Sequence, residues 1–373
     1  MVASVFLAMA MTLAGPRAAA APDPAPIIEL YTMGPGPSLF SKFGHAAICV
    51  RYSRKLSDRC YNYGTTNFAE PVHLVWGVLR SDSVFWVSVD SPARMIRHYE
   101  RRDRSVWRQT IPLAPAAARA LAARLAEAAL PENRTYSYHH YHDNCSTRVR
   151  DLLDEATGGA LSRGRKDAPF SATYRELSRR GLAGAPWLVA LSDIVLGGAA
   201  DETPDVYQAM FLPAVLRAEV ATRLGVEPEV IYAHAGPPPP ELDGAMRAWW
   251  WAALAVVCTA FALGARLLAA RGARRGRRLA LVAAFLPIGI IGLLLWGVAL
   301  VSPLPELRFN EAVLVFWPLD LAVPFVSEHL ARRYARGRIA ILVAVSLLVV
   351  IGVFSQPLLL PILAAGIPAA TLL

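Results

Sequence analysis

The sequence predicts an α+β domain followed by an all-α transmembrane domain of four or five helices. Three observations lead there. Of the 373 residues 55% are hydrophobic and the mean hydropathy is +0.36, too apolar for a soluble globular chain. The apolar excess is concentrated in residues 2–15 and after residue 247. Between those regions lie short alternating runs punctuated by Gly and Pro, then amphipathic helical patterns. The charge follows the same division. Arg271, Arg274, Arg275, Arg277 and Arg278 form one cluster and Arg332, Arg333, Arg336 and Arg338 another, together equal to the whole net charge of +9. Both clusters read as loops between apolar spans, cytoplasmic by the positive-inside rule. No basic-aromatic patch lies outside them, so nucleic acid is not an expected partner.

Taken in order, residues 1–21 read as a signal peptide or N-terminal anchor: a short apolar run, then Ala18-Ala19-Ala20-Ala21. The domain at 27–231 is therefore expected outside the cytoplasm. Residues 27–31 are a strand candidate and Gly34-Pro35-Gly36-Pro37 a loop. Residues 43–52 and 59–63 read as a β-hairpin with Cys49 and Cys60 on its two arms, a possible disulfide in an oxidising compartment or two half-buried thiols. Residues 84–90 and 105–113 are further strands, with a short basic amphipathic helix at 92–101 between them. Residues 116–130 are Ala-rich and helical, stopped by Pro131.

The stretch 136–154 then carries the chemistry. Cys145, Val149, Leu152 and Leu153 make one apolar stripe of a helix, with Asp143 and Asn144 as cap candidates. Cys145 thus sits on a first helical turn, where free N–H groups and the dipole lower a thiol pKa. Residues 186–196 are an apolar helix too short to span, and 207–213 open a helix at 214–223, a run expected to pack on the core or to line an acyl chain. A linker at 232–247 contains Pro237–Pro240. Spans are expected at 248–268, 279–301, 312–330 and 339–354, with 357–373 a fifth span or a re-entrant segment. Trp249, Trp250 and Trp251 form an interfacial belt. Asp320, between Pro318 and Pro324, is either a functional intramembrane carboxylate or one bonded to backbone freed by proline.

A cysteine nucleophile needs a base and a group to orient that base. His45 lies on a strand among small residues, and Asn62 on the adjacent strand is the best-placed partner. Papain-like enzymes place a Cys at a helix start with His and Asn on strands; here His precedes Cys, the circularly permuted order. The Cys145 backbone N–H is the expected oxyanion donor. His139, His140, His142 and Cys145 invite a zinc reading, but the spacings are too tight for a structural site and no second ligand pair is evident, so no metal is expected. No Gly-x-Ser-x-Gly elbow is present.

Phe43-Gly44-His45-Ala46, Tyr61-Asn62-Tyr63-Gly64 and Tyr138-x-x-Tyr141-x-Asp143-Asn144-Cys145-Ser146-Thr147-Arg148 resemble the Lnb family of bacterial lipoprotein N-acyltransferases, as does Met210-Phe211-Leu212-Pro213. The resemblance implies a permuted papain-like (NlpC-like) periplasmic domain, with Cys145 as nucleophile and His45 as base. Ser41, Tyr138, Tyr141, Asp143, Asn144 and Arg148 are then expected to bind substrate or line the site. The activity it implies moves an acyl chain from a membrane phospholipid through a Cys145 thioester to the α-amine of a diacylglyceryl-cysteine lipoprotein. No cofactor is expected, since ester-to-amide transfer is downhill. The location expected is the bacterial inner membrane, multi-pass, with the catalytic domain in the periplasm. Two readings compete: a membrane-anchored cysteine hydrolase acting on cell-wall peptide or lipid, and a non-enzymatic membrane binding module.

Overall fold

The computed structural model of the chain describes residues 24–52, 57–237 and 244–373. The expected signal peptide or anchor at 1–21 and residues 238–243 of the linker lie outside the described residues.

Seven strands form one antiparallel sheet: β1 (Ile27–Met33), β2 (His45–Arg51), β3 (Arg59–Thr65), β4 (Val84–Asp90), β5 (Val106–Ile111), β6 (Thr135–Ser137) and β7 (Glu229–Tyr232), in the order β6-β4-β3-β2-β1-β5-β7. Eight helices accompany it: α1 (Pro71–Arg80), α2 (Pro92–Glu100), α3 (Pro115–Ala128), α4 (Cys145–Ala156), α5 (Tyr174–Leu182), α6 (Pro186–Val195), α7 (Val206–Ala209) and α8 (Pro213–Leu224). The period-2 alternation of β2 divides its side chains between two faces. Ala46, Ile48 and Val50 enter the main core with Leu121, Leu125, Val149, Leu153 and Leu216 from α3, α4 and α8. Ala47 and Cys49 enter a smaller core with Met95 and Tyr99 of α2. Cys49 and Cys60 stand directly opposite across the hairpin and are disulfide-bonded. Met210 and Phe211 are fully buried, so this run packs on the core. Gly44, at φ 86°, turns the chain into β2; a Cβ there would lie 2.6 Å from the Met33 carbonyl oxygen.

The C-terminal part is helical: α9 (Gly244–Ala270), α10 (Arg274–Val301), α11 (Pro305–Arg308), α12 (Ala312–Val315), α13 (Glu328–Val350) and α14 (Leu359–Ala370). Two helices, Ala248–Ala270 within α9 and Arg274–Val301, are long and apolar enough to cross a membrane. At about 1.5 Å per residue both exceed a hydrocarbon core of roughly 30 Å. Their outward faces carry exposed Val256, Leu267, Leu279, Leu294 and Leu300, an apolar surface suited to lipid.

One of the four or five expected spans needs correction. Residues 312–330 are not one helix: α12 gives way at Phe316, a 3-10 segment runs Pro318–Phe325, and α13 begins at Glu328. Pro318 and Pro324 lack N–H groups and disfavour helix in the residues before them. Gly289 and Gly292 of α10 admit this irregular chain closely, since a Cβ at either would fall within 2.9 Å of the Leu321 or Trp317 backbone. The second arginine cluster is no loop either. Arg332, Arg333, Arg336 and Arg338 lie on α13, whose fold-back buries Arg338. Its guanidinium donates to the Val315 carbonyl at 2.6 Å and to the Asp320 carboxylate at 3.0 Å, while Tyr334 donates to Asp320 at 2.7 Å. The broken backbone is thus satisfied by Arg338, and Asp320 is that cation's counter-ion. Residues 359–370 form a helix of 12 residues, shorter than a span.

Helix α6 joins the two parts. Ala190 and Ile194 pack with Trp251, Ala255 and Cys258 of α9. The end of α6 is sealed by polar side chains on both sides. Asn310 donates to the Ile194 and Val195 carbonyls at 2.8 and 3.0 Å, and Gln356 to that of Asp193 at 2.9 Å. Arg175, 1% exposed, donates to the Leu196 and Gly197 carbonyls at 2.8 Å each and to both oxygens of Asp201. These side chains serve the carbonyls that a helix end leaves unpaired. Arg175→Met leaves the half-buried Asp201 carboxylate without its cation and several carbonyls without a donor, and is expected to destabilise the protein by about 3–5 kcal/mol. Thermal unfolding of the full chain in detergent checks this, and a melting temperature within a degree of wild type refutes it.

Candidate active site

The site is built where the start of α4 meets β2 and β3. Asn144 caps α4: its Oδ1 accepts from the Ser146 and Thr147 N–H groups at 2.8 and 3.0 Å, and Thr147 Oγ1 accepts from the Asn144 N–H at 2.7 Å. The Asn144 amide also donates to the carbonyls of His140 and Phe211 at 2.7 and 3.0 Å. Cys145 is thereby fixed as the first residue of the helix, partly exposed, with its sulfur receiving the Ala46 backbone N–H. Gly64, at φ 86°, lets β3 pass close by; a Cβ there would lie 3.5 Å from Cys145 Cβ.

His45 opens β2, immediately before the residue whose N–H meets the sulfur. Its Nε2 lies 3.3 Å from Asn62 Oδ1, and its ring stacks on Tyr99 with centroids 6.2 Å apart. The geometry makes Nε2 the protonated nitrogen, donating to Asn62, and leaves Nδ1 to accept a proton. The expected Cys–His–Asn set is therefore brought together at one end of the hairpin.

The expected lowering of the thiol pKa does not survive burial. Burial pushes the Cys145 thiol up, and the N–H groups of Ala46, Ser146 and Cys145 itself only partly offset it. Burial also pushes His45 down to about 4, with the Arg104 charge adding to it and the Asn62 bond opposing it. The resting pair is neutral thiol and neutral imidazole.

The other expected residues fall into separate roles. Tyr138 stacks on Phe85 with centroids 4.4 Å apart, and Arg148 lies 4.4 Å over the Tyr136 ring while its Nη2 donates to Asp143 at 2.7 Å. Both tyrosines lie close enough to Cys145 that a thiolate there would oppose their ionisation, so this aromatic wall is near the sulfur. Tyr141 is buried, with its hydroxyl 2.8 Å from Ser178 Oγ and its ring among Tyr174 and Phe211, which makes it a packing residue. Ser41 braces the preceding loop, donating to the Ser38 carbonyl at 2.9 Å. His139 and His140 act locally: His139 Nδ1 accepts from the Tyr141 and His142 N–H groups at 3.2 and 3.3 Å, and His140 packs edge-on against Phe43 and Phe211. Sequence reading missed Tyr99 and Arg104. Tyr99 lies within the stretch read as a short basic amphipathic helix and Arg104 in the turn after it, and the bond from Arg104 to the distant Gly34 carbonyl has no local signal in the sequence.

Since the thiol is protonated at neutral pH, alkylation of Cys145 by iodoacetamide is expected to climb steadily as pH rises past the ordinary thiol value of about 8.5. Peptide mass spectrometry follows Cys145 separately from Cys258. A rate already on its plateau near pH 6 contradicts the neutral pair.

No curated protein and no solved structure matches the chain. Residues 17–180, which include His45, Asn62 and Cys145, match the family model described as the Lnb N-terminal periplasmic domain. With the two apolar helices, this match points to a membrane protein carrying a periplasmic domain.

Proposed function

We infer that the chain is a thiol-dependent N-acyltransferase of the bacterial inner membrane, maturing lipoproteins from the periplasmic side. The observation that carries the reading is the convergence of Cys145, His45 and Asn62 in a domain whose helix α6 packs directly against the membrane-length helix α9. A lipid substrate is supported by the surface near the site. Leu39, Phe40, Phe68, Val72, Val75 and Trp76 are all exposed, the Phe40 and Phe68 rings lie 5.8 Å apart, and α1 packs against α10. This apolar rim faces the same bilayer that α10 crosses.

In the first half-reaction the Cys145 sulfur attacks the ester carbonyl of a phospholipid as His45 Nδ1 takes the thiol proton. The C–S bond forms, the ester C–O bond breaks, and the imidazolium returns the proton to the departing lysophospholipid alkoxide. The Cys145 N–H at the helix start faces the developing oxyanion. In the second half the α-amine of a diacylglyceryl-cysteine attacks the thioester, His45 accepts an amine proton, the C–S bond breaks, and the thiol is restored. A neutral resting pair suits both halves, because His45 is unprotonated when each nucleophile arrives.

Incubating the purified protein with phospholipid is expected to add one acyl mass to Cys145, and a diacylated lipopeptide to discharge it as an amide. Cells relying on this enzyme should, with Cys145→Ala, accumulate lipoproteins with a free α-amine. N-acylated lipoproteins in those cells, or free fatty acid as the sole product, refute the assignment. Since His45 becomes protonated only near pH 4, the acylation rate should stay nearly level from about pH 7 to 5. An ordinary histidine, near 6.5, gives more than about a tenfold fall over that range.

A further inference from the structure

Arg104 is 7% exposed, yet among the described residues no carboxylate pairs with it. Its Nε donates to the Gly34 carbonyl at 2.8 Å and its guanidinium lies 4.7 Å over the Tyr99 ring, while Nη2 is buried with no partner. A buried cation satisfied by one carbonyl and one ring, with a further donor left unpaired, is expensive to hold.

The turn that presents this cation is built for it. Asp103 adopts φ 49°, a left-handed conformation, and is held there by Tyr232, which donates to Oδ1 at 2.8 Å, and by the Ala235 and Gly236 N–H groups at 2.8 and 3.0 Å. The strap 232–236 that restrains it leads on towards α9. On the other side the Gly34–Ser41 loop closes over Arg104; a Cβ on Gly36 would lie 3.0 Å from Arg104 Cδ. Tyr99, whose ring carries the guanidinium at 4.7 Å, also stacks with the His45 ring at 6.2 Å, so the cation stands one ring away from the base.

We propose that Arg104, backed by Tyr99, is the subsite for the phosphate of the phospholipid acyl donor. This rests on the acyl-transfer reading. A phospholipid ester carbonyl is separated from its phosphorus by only a few bonds, so an ester placed at Cys145 brings the phosphate to a neighbouring cation. The planar fork of Arg suits two phosphate oxygens, and the donor supplies the anion that the protein itself withholds. The acceptor, a diacylglyceryl-cysteine, brings no phosphate, so the subsite separates donor from acceptor.

The test uses the full chain in detergent with Arg104→Gln, and Arg104→Lys as a second variant that keeps the charge without the fork. A diether phospholipid, which has no ester to cleave, should protect Cys145 of the wild type from iodoacetamide and protect Arg104→Gln at least about tenfold less well, the equivalent of one lost charge-assisted hydrogen bond. Arg104→Lys should fall between. Acylation of Cys145 at limiting phosphatidylglycerol should drop by the same factor in Arg104→Gln, a clearly larger loss than with a neutral p-nitrophenyl ester. Equal protection of wild type and Arg104→Gln overturns the proposal, as does an equal loss with both donors. If protection depends on Arg104 yet no acyl-enzyme ever forms, the subsite stands and the acyl-transfer reading falls.

Discussion

The side chain of Asn144 holds the site together. Two of its bonds begin a helix and two tie the loop before that helix to the carbonyls of His140 and Phe211. A cap alone is worth about 0.5–2 kcal/mol. Here the same amide also sets where the sulfur stands, because Cys145 is the next residue and inherits whatever position the cap is given. The Phe211 carbonyl belongs to the turn between α7 and α8, whose Met210 and Leu216 enter the main core. Position at the sulfur is therefore referred to the packing of the whole domain, and the dependence of the loop on distant residues follows.

A helix start and a buried setting pull the thiol in opposite directions, and magnitude decides between them. The dipole is worth about 0.3–1 kcal/mol, less than one pKa unit, whereas burial of a titratable group shifts it by up to roughly 3–5 units. Burial wins at Cys145 and again at His45. The consequence is chemical: a thiol kept protonated is a poor target for oxidants and stray electrophiles in an oxidising compartment, where the Cys49–Cys60 bond itself forms. In the proposed reaction the thiolate is generated only when a carbonyl stands ready to receive it. The Arg104 charge adds to this by opposing protonation of His45.

Much of the N-terminal domain is readable locally. Period-2 runs locate β1 to β5 within a few residues; the hairpin register decides for the Cys49–Cys60 disulfide over two half-buried thiols, and of the two cap candidates Asn144 is the one that caps α4. Failures occur where tertiary context reverses a local signal. Helix α1 escapes notice because Val72, Val75 and Trp76 are exposed instead of buried, so its apolar face has no core to mark it. Residues 312–330 are apolar enough to read as a span, but Pro318 and Pro324 break the helix. Arg338 reads as a loop cation because nothing in its neighbourhood in the chain announces that Val315 and Asp320 will fold back onto it. Non-helical backbone at such depth requires partners from the protein, and the partner came from an arginine more than a turn inside the next helix.

The same logic explains why the two parts of the chain meet where they do. The end of α6 leaves carbonyls that water does not reach, and Asn310, Gln356 and Arg175 supply donors from three separate segments. Gly197 donates to the Glu306 carbonyl at 2.7 Å, and a Cβ there would strike the Phe309 carbonyl oxygen at 2.1 Å, so the approach admits no side chain. Glu306 in turn lies 3.3 Å from Nε2 of His139, whose other nitrogen orders the loop before Cys145. Burial raises Glu306 and lowers His139, each toward its neutral form, which makes their contact a polar latch more than an ion pair. A continuous set of bonds thus runs from the apolar helices through Glu306 and His139 to the loop that carries the nucleophile. The proposed acyl transfer draws both substrates from a bilayer, so it gains from holding the sulfur at one height above that bilayer, and buried polar bonds, directional where apolar contact is not, fix such a height.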